Sequence, residues 1–292
     1  MITRLRKSAV LARNHAVYRQ HAFWAATTRD AFPLNPNSHF VISVASYPKR
    51  IHLVPAVFES LARQTVKPRH AYLVLSVEDF PDGSVPAGVR RLAERGVEIV
   101  WTKNNPFAVK KLVPVRGLNP GCAVCTFDDD IIYAPDVVEG LAHQARQTDQ
   151  AVVGYWGKSL YRVGTKLGMW YRDASPADEQ SPAGATYLIA GSGVWYSPDS
   201  LHESVTDLDA IHRIVPGRGS DIWFWGAAHA VGSKHVCISS RARSRMWIPI
   251  PQNTRTQPRE RPGADVLERR FQMAIDYFGI RKKLLAELPD RG

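Results

Sequence analysis

The chain holds 292 residues, 45% of them hydrophobic, which is enough for one large domain core with appendages; no run of about 18 uncharged apolar residues is present that would cross a membrane. Its three cysteines, Cys122, Cys125 and Cys237, exclude a disulfide framework. The net charge of +11 sits at the ends: six Lys/Arg against one acid in residues 1–37 and twelve against six in 241–292, with twenty of each between.

Residues 1–31 are expected to form an amphipathic helix, because Leu5, Val10, Leu11, Val17, Tyr18, Phe23 and Trp24 recur near helical spacing among Arg and His. Arg13, His15 and Arg19 deny this stretch the continuous apolar region of a secretory signal, so cytoplasmic residence is the expectation. Two placements stay open for it: on a membrane surface, or packed on its own domain. "FPLNPNS" (32–38) reads as a linker. Strands are expected over 39–46, 70–77, 97–103 and 121–130, and helices over 53–64, 86–96 and 134–148. That alternation predicts a parallel, open α/β sheet, whose ligands bind beyond the carboxyl ends of the strands. Ser46, Glu78 and the acids of "FDDD" all fall at such ends. Further on, 150–161 and 184–198 read as strands with glycine breaks, 219–232 as a helix and 234–240 as a strand. A Pro-rich basic connector (249–262) and one helix over 264–288 close the chain. The expected organisation is a basic segment 1–37, a main domain 38–240 and a basic carboxy-terminal part 241–292.

Asp128 and Asp130 are two residues apart at a strand end, so their side chains share a side. Two such carboxylates make a hard-oxygen site suited to Mg²⁺ or Mn²⁺, ions that keep positions open for phosphates. Asp129 would then point elsewhere, to a backbone amide or a lysine; an exposed acidic turn is the plainer alternative. Lys110 and Lys111, just upstream, would offset negative charge there, or form an ordinary solvated face. Asp221 precedes Trp223 and Trp225, where a desolvated carboxylate can act as a general base, while Ser220 or Asp221 could equally cap the helix. Gly191 and Gly193 around Ser192 allow close backbone approach to a ligand, or mark a bend. Cys122 and Cys125 form a CxxC that is better explained as two small residues on opposite faces of a strand than as a redox pair or half a zinc site.

Taken in order, these segments resemble a GT-A-fold glycosyltransferase of the bacterial family-2-like group that builds surface polysaccharides. The resemblance runs from about Val41 to Ser240, about 200 residues. "VISVASYPKRI" resembles the strand and loop that cradle the nucleotide, and "FDDDIIYAPD" the DxD motif with its turn. "AGSGVWYSPDSL" is similar to the acceptor-side segment, and "GSDIWFWGAA" to the late acidic helix. Relatives often carry two acids before "IW"; here Ser220 replaces the first, so only Asp221 carries over.

The resemblance implies metal-dependent transfer of a sugar from a nucleotide-diphosphate sugar, with UDP-sugar expected, to a hydroxyl of a glycan or lipid-linked acceptor, with inversion. It implies Asp130 as a metal ligand, Asp128 at the metal or ribose, and His235 as a third ligand. Ser46, Tyr47 and Arg50 would border base and ribose, Glu78 or Asp79 the uracil, and Lys110 or Lys111 the diphosphate. Gly191, Ser192, Gly193, Trp195 and Trp223 would face the acceptor. Trp156, Trp170, Tyr171 and Trp225 suit sugar stacking or a Trp-rich core. Alternatives are another metal-dependent nucleotidyltransferase or phosphate enzyme, and a non-catalytic protein binding nucleic acid or an anionic surface. The neutral middle argues against nucleic acid, and the basic ends fit an anionic membrane surface.

Overall fold

The protein is described here by a computed structural model covering residues 2–149, 151–177, 186–238, 247–252 and 263–292. In chain order the elements are α1 (Ile2–Thr27), β1 (Phe40–Ala45), α2 (Val54–Ala62), β2 (Ala71–Ser76), α3 (Ala87–Glu94) and β3 (Glu98–Thr102). A 3₁₀ turn (Phe107–Lys111) and α4 (Val113–Leu118) lead to β4 (Ala123–Phe127), β5 (Ile131–Tyr133) and α5 (Val137–Arg146). Then come β6 (Ala151–Gly154), β7 (Gly157–Leu160), β8 (Arg172–Pro176), β9 (Thr186–Leu188), β10 (Val194–Tyr196), α6 (Leu208–Ile214) and α7 (Ser220–Ala230). β11 (Lys234–Cys237), β12 (Trp247–Pro249), α8 (Ala264–Tyr277) and α9 (Arg281–Glu287) complete the chain.

Seven strands form one sheet in the order β11-β6-β10-β4-β1-β2-β3. β1, β2, β3 and β4 pair in parallel, β6 pairs in parallel with β11, and β10 alone runs antiparallel between β4 and β6. The open, mostly parallel α/β sheet expected from the strand–helix alternation is therefore present. Smaller antiparallel sheets, β5–β12 and β8-β7-β9, flank it.

Strand alternation divides the core between the two faces of the sheet. Val41, Val74 and Val124 lie in one buried cluster, and Ile42, Val44, Leu75 and Cys125 in the other. Cys122 belongs to the first cluster and Cys125 to the second, so the sheet separates the CxxC thiols; none of the three cysteines forms a disulfide among the described residues.

Several expectations need correction. The strand expected over 150–161 is two strands, and the helix over 264–288 is two helices, broken where Gly279 takes φ 66°. The carboxy-terminal helices are not appended: Phe271, Ala274, Ile275 and Leu284 are buried in the core with Trp223 and Trp225. Residues 1–31 are largely helical, but the apolar residues of α1 are not gathered into one stripe. Its second half packs on its own domain, with Val17, Tyr18 and Ala22 against the core and Arg63 stacked 3.7 Å over Trp24. Most of the 249–262 connector lies outside the described residues. No helix among the described residues is long and apolar enough to cross a membrane.

Candidate functional site

The aspartates stand just beyond the carboxyl end of β4, where β5 turns back toward β12. Their side chains diverge sharply in exposure. Asp128 keeps 33% of its side-chain surface and Asp130 18%, whereas Asp129 keeps 6%. Only the outer two can be reached by a ligand. Asp129 is internal wiring: Ser46 Oγ donates to it at 2.6 Å and Arg50 at 3.1 Å. Where a backbone amide or a lysine is expected beside Asp129, a serine and an arginine stand, and the same arginine nitrogen also contacts Asp130.

Arg50 also reaches Asp130 at 3.1 Å and Gln252 at 3.2 Å. Gln252 in turn donates to Asp130, and the Ile250 N–H donates to the Asp130 carbonyl at 2.8 Å. The chain after β12 thus returns across the aspartate turn. Burial first, then the neighbouring Asp128, raises the Asp130 carboxyl to about 6, with Arg50 acting against the rise.

Lys111, at the end of the 3₁₀ turn, contacts Asp128 at 3.0 Å. Burial acts to lower its pKa, but Asp128 and then Asp221 outweigh that and hold the ammonium above its ordinary value. Asp221 lies in the first turn of α7. Gly219 is the residue that caps the helix, with no side-chain cap bond. Asp221 is instead turned toward the site, accepting the Ala190 N–H at 3.4 Å. Burial, with Asp128 adding to it, raises its pKa, and Lys111 opposes the shift. Asp128, Lys111 and Asp221 are therefore one electrostatic group drawn from well-separated parts of the sequence.

The turn Ala190–Ser192 forms the adjoining wall. A side chain at Gly191 would stand 3.5 Å from Asp128 Oδ2 and 3.8 Å from Trp156. Gly193 has φ 84°, and a Cβ there would be 2.8 Å from Phe127, so only glycine fits. Ser192 is fully buried beneath.

Glu78 and Asp79 are nearby but occupied. Glu78 accepts the N–H groups of Asn104 (2.6 Å) and Asn105 (3.3 Å), and Ser76 Oγ donates to it. Ser76, its own backbone N–H and these neighbours lower its carboxyl to about 2. Asp79 accepts from Lys110 at 3.0 Å and from Asn105 at 3.2 Å. Asn104 and Phe107 both take left-handed φ, 56° and 50°, between these anchors. The two acids hold a strained loop in place, and that loop carries Lys111.

Several residues expected at the site have partners within the protein. Ser46 and Arg50, expected beside base and ribose, hold Asp129. Glu78, Asp79 and Lys110 hold the lysine loop. Tyr47 is only half-buried and borders the cleft, with Arg50 5.7 Å from its ring. Trp195 is buried against Phe40, and Trp223 is fully buried with its indole N–H donated to Val205 O, so neither presents a ring to an acceptor. Trp225 stacks on Phe271 in the same core. Trp156, beside Gly191, stacks on Trp247 at 6.4 Å. His235 does not join the aspartates. It is buried in β11, stacked 4.7 Å from His229, and neither of its ring nitrogens has a hydrogen-bond partner among the described residues.

Two reachable carboxylates with oxygen-only ligands fit a hard divalent cation. Four carboxylates (Asp128, Asp129, Asp130, Asp221) face two cations (Arg50, Lys111), leaving two negative charges when all are ionised. Burial is the main cause of the raised Asp130 carboxyl, and the neighbouring Asp128 adds to it. Among the described residues no three His, Cys, Asp or Glu side chains converge as a complete metal cage. A cation here would take its remaining ligands from phosphate and water, as Mg²⁺ and Mn²⁺ commonly do.

No protein-family model matches the chain, and no curated protein matches it. Among solved structures, the mannosyltransferase PcManGT from Pyrobaculum calidifontis, in complex with GDP-Man and Mn²⁺, is 14% identical with a TM-score of 0.42. The likeness covers 79% of this chain and 65%, under two thirds, of that one. S. aureus TarS 1–349 in complex with UDP-GlcNAc is 12% identical, covering 83% of this chain and 66% of that one, with a TM-score of 0.49. A CMP:2-keto-3-deoxy-manno-octonic acid synthetase complexed with CTP is 12% identical over 69% of this chain and 90% of that one, with a TM-score of 0.41.

Proposed function

We propose that the chain is a GT-A-type glycosyltransferase that moves a sugar from a nucleotide-diphosphate sugar, a UDP-sugar, to a hydroxyl of a glycan or lipid-linked acceptor. The observation that carries this reading is the pairing of two chemistries across Lys111. On one side are two reachable carboxylates, Asp128 paired with Lys111 and Asp130 with Arg50; on the other is a separate desolvated carboxylate, Asp221. A phosphohydrolase or nucleotidyltransferase needs the first and has no need of the second.

Asp128 and Asp130 would hold Mg²⁺ or Mn²⁺, which when bound supplies charge stabilisation to the departing diphosphate. Asp129, gripped by Ser46 and Arg50, fixes the turn that presents them. Tyr47 borders the nucleotide, and the Gly191 backbone lets the acceptor approach. Asp221 takes the proton of the acceptor hydroxyl as its oxygen forms the new bond to the anomeric carbon. The bond from that carbon to the diphosphate oxygen breaks with its electron pair on the leaving group, and in-line attack inverts the centre. Lys111 favours the ionised, proton-accepting form of Asp221 against the burial that raises its pKa.

The test is a thermal-shift screen of nucleotide sugars with and without Mn²⁺, followed by nucleotide release from those that bind. A metal-dependent rise with a UDP-sugar, and UDP release abolished in Asp130→Ala, are expected. Release that survives Asp130→Ala, or no stabilisation by any nucleotide sugar, overturns the reading.

A further inference from the structure

The amino-terminal helix contains a feature that sugar transfer does not use. From Arg6 to Arg13 every side chain is exposed, and burial begins abruptly at Asn14. The turns over 6–13 therefore project beyond the domain for about 12 Å at the helical rise of about 1.5 Å per residue. They continue from docked turns, so they need no nucleation of their own.

Their chemistry is one-sided. The first acidic residue of the chain is Asp30; before it stand Arg4, Arg6, Lys7, Arg13, Arg19 and Arg29. Val10 and Leu11, each 52% exposed, lie four and three residues before Asn14, so they prolong the face that docks on the domain, but with no contact to it shown among the described residues. An all-basic helix with two aliphatic residues in water complements a surface that is anionic at its rim and apolar beneath.

Its position matters as much as its charge. Asn14 Nδ2 donates to Pro249 O at 3.1 Å. Pro249 pairs with Ile131, the residue after Asp130, at the aspartate end of the β5–β12 hairpin. The free turns thus begin within one residue pair of the candidate site.

We propose that residues 6–13 of α1 dock the protein on an anionic phospholipid surface, holding the aspartate end of the sheet next to the leaflet. Docking stands on charge and exposure alone; that it serves a lipid-linked acceptor rests on the transfer reading. The charges give long-range attraction that salt screens, and Val10 and Leu11 enter the headgroup boundary.

The full chain is mixed with vesicles of phosphatidylcholine, with or without phosphatidylglycerol, and sedimented. Binding to the anionic vesicles alone is expected. It should weaken about a hundredfold in the triple variant Arg6→Glu/Lys7→Glu/Arg13→Glu, and by less in Val10→Ser/Leu11→Ser. All five positions are exposed, and an unchanged melting temperature confirms that the fold is intact. Equal binding to both vesicle types, or a triple variant that binds like the parent, overturns the proposal. So does self-association that Val10→Ser/Leu11→Ser abolishes without vesicle binding, which would make a second copy the occupant. Stabilisation by a nucleotide sugar is measured on the same samples. If it persists while vesicle binding fails, only the docking is wrong; if vesicle binding holds without it, only the transfer reading is wrong.

Discussion

The aspartate cluster and the histidine pair both bury titratable groups, and they are built on opposite plans. The aspartate cluster gathers Asp128, Asp129, Asp130 and Asp221 around Arg50 and Lys111 at the ends of strands. Each charge there has a named partner, and two carboxylates stay reachable. The histidine pair, His229 and His235, is stacked face to face between α7 and β11, beside Trp225. Its rings are neutral and their inner nitrogens lack partners among the described residues. Desolvation perturbs both clusters, so a perturbed pKa alone does not distinguish a site from a core. What distinguishes them is compensated but incomplete charge at a surface, against charge avoided altogether in the interior.

The comparison breaks most visibly by removing the reachable carboxylates. Asp130→Ala is expected to lower nucleotide-sugar turnover about a thousandfold, the scale of losing a principal electrostatic contact in a water-poor site. Its Mn²⁺-dependent thermal shift should vanish with the activity. A variant that kept both would make the aspartate cluster as structural as the histidines.

Asp221→Asn separates roles within the cluster. It leaves Asp128 and Asp130 in place, so nucleotide-sugar stabilisation should persist. Turnover should fall by about 10²- to 10⁴-fold, the usual contribution of a positioned base. A rise in KM at unchanged kcat would instead make Asp221 a binding residue.

The third prediction concerns stability. Asp130 titrates near 6 in the folded protein and near 3.9 unfolded. The folded state therefore holds this proton more tightly, its contribution is fully present below about pH 4, and it is lost as pH rises through 6. At neutral pH the ionised carboxylate costs at most about 3 kcal/mol. Asp130→Asn should raise the melting temperature at about pH 7.5, have little effect near pH 4, and abolish function. Such a trade is expected where a site stores unmet charge for a ligand.

Much of this was legible in the sequence, for identifiable reasons. β-branched runs separated by helical spacing yielded β1 to β4 and the sheet direction, and that placed the aspartates at a strand end. Strand alternation set Asp129 apart from its neighbours but did not reveal its partners, Ser46 and the Arg50 that it shares with Asp130. The use of Ser46, Arg50, Glu78 and Asp79 was not legible, because a side chain's residue type does not reveal which neighbour occupies it. Gln252 was missed for a different reason: it meets Asp130 across 122 positions, through a three-residue strand too short to carry a periodic signal. The strained turn at Asn104 and Phe107 offered one usable hint, an "NNP" cluster just before the paired lysines. His235 had none, since a lone histidine in an apolar strand looks the same whether it ligates a metal or packs on a ring.

The histidine pair supplies the smallest effect, with the opposite sign. Burial first, then the charge of Lys283, lowers His235 to about 3, while the unfolded chain titrates near 6.5. The unfolded state therefore takes up the proton first, so stability present above about pH 6.5 is lost as pH falls toward 3. Between about pH 7 and pH 5 this loss amounts to about 2 kcal/mol for His235. His235→Leu removes the group and its two unpartnered nitrogens while keeping an apolar filling against Trp225. Urea unfolding at the two pH values should show that the variant recovers most of this acid-side loss with catalysis unchanged, whereas Asp130→Asn alters only the limb between pH 4 and 6. An unchanged acid limb in His235→Leu would mean that the ring is hydrated or partnered after all, and the histidine pair would then belong with the aspartates as a polar site rather than a dry core.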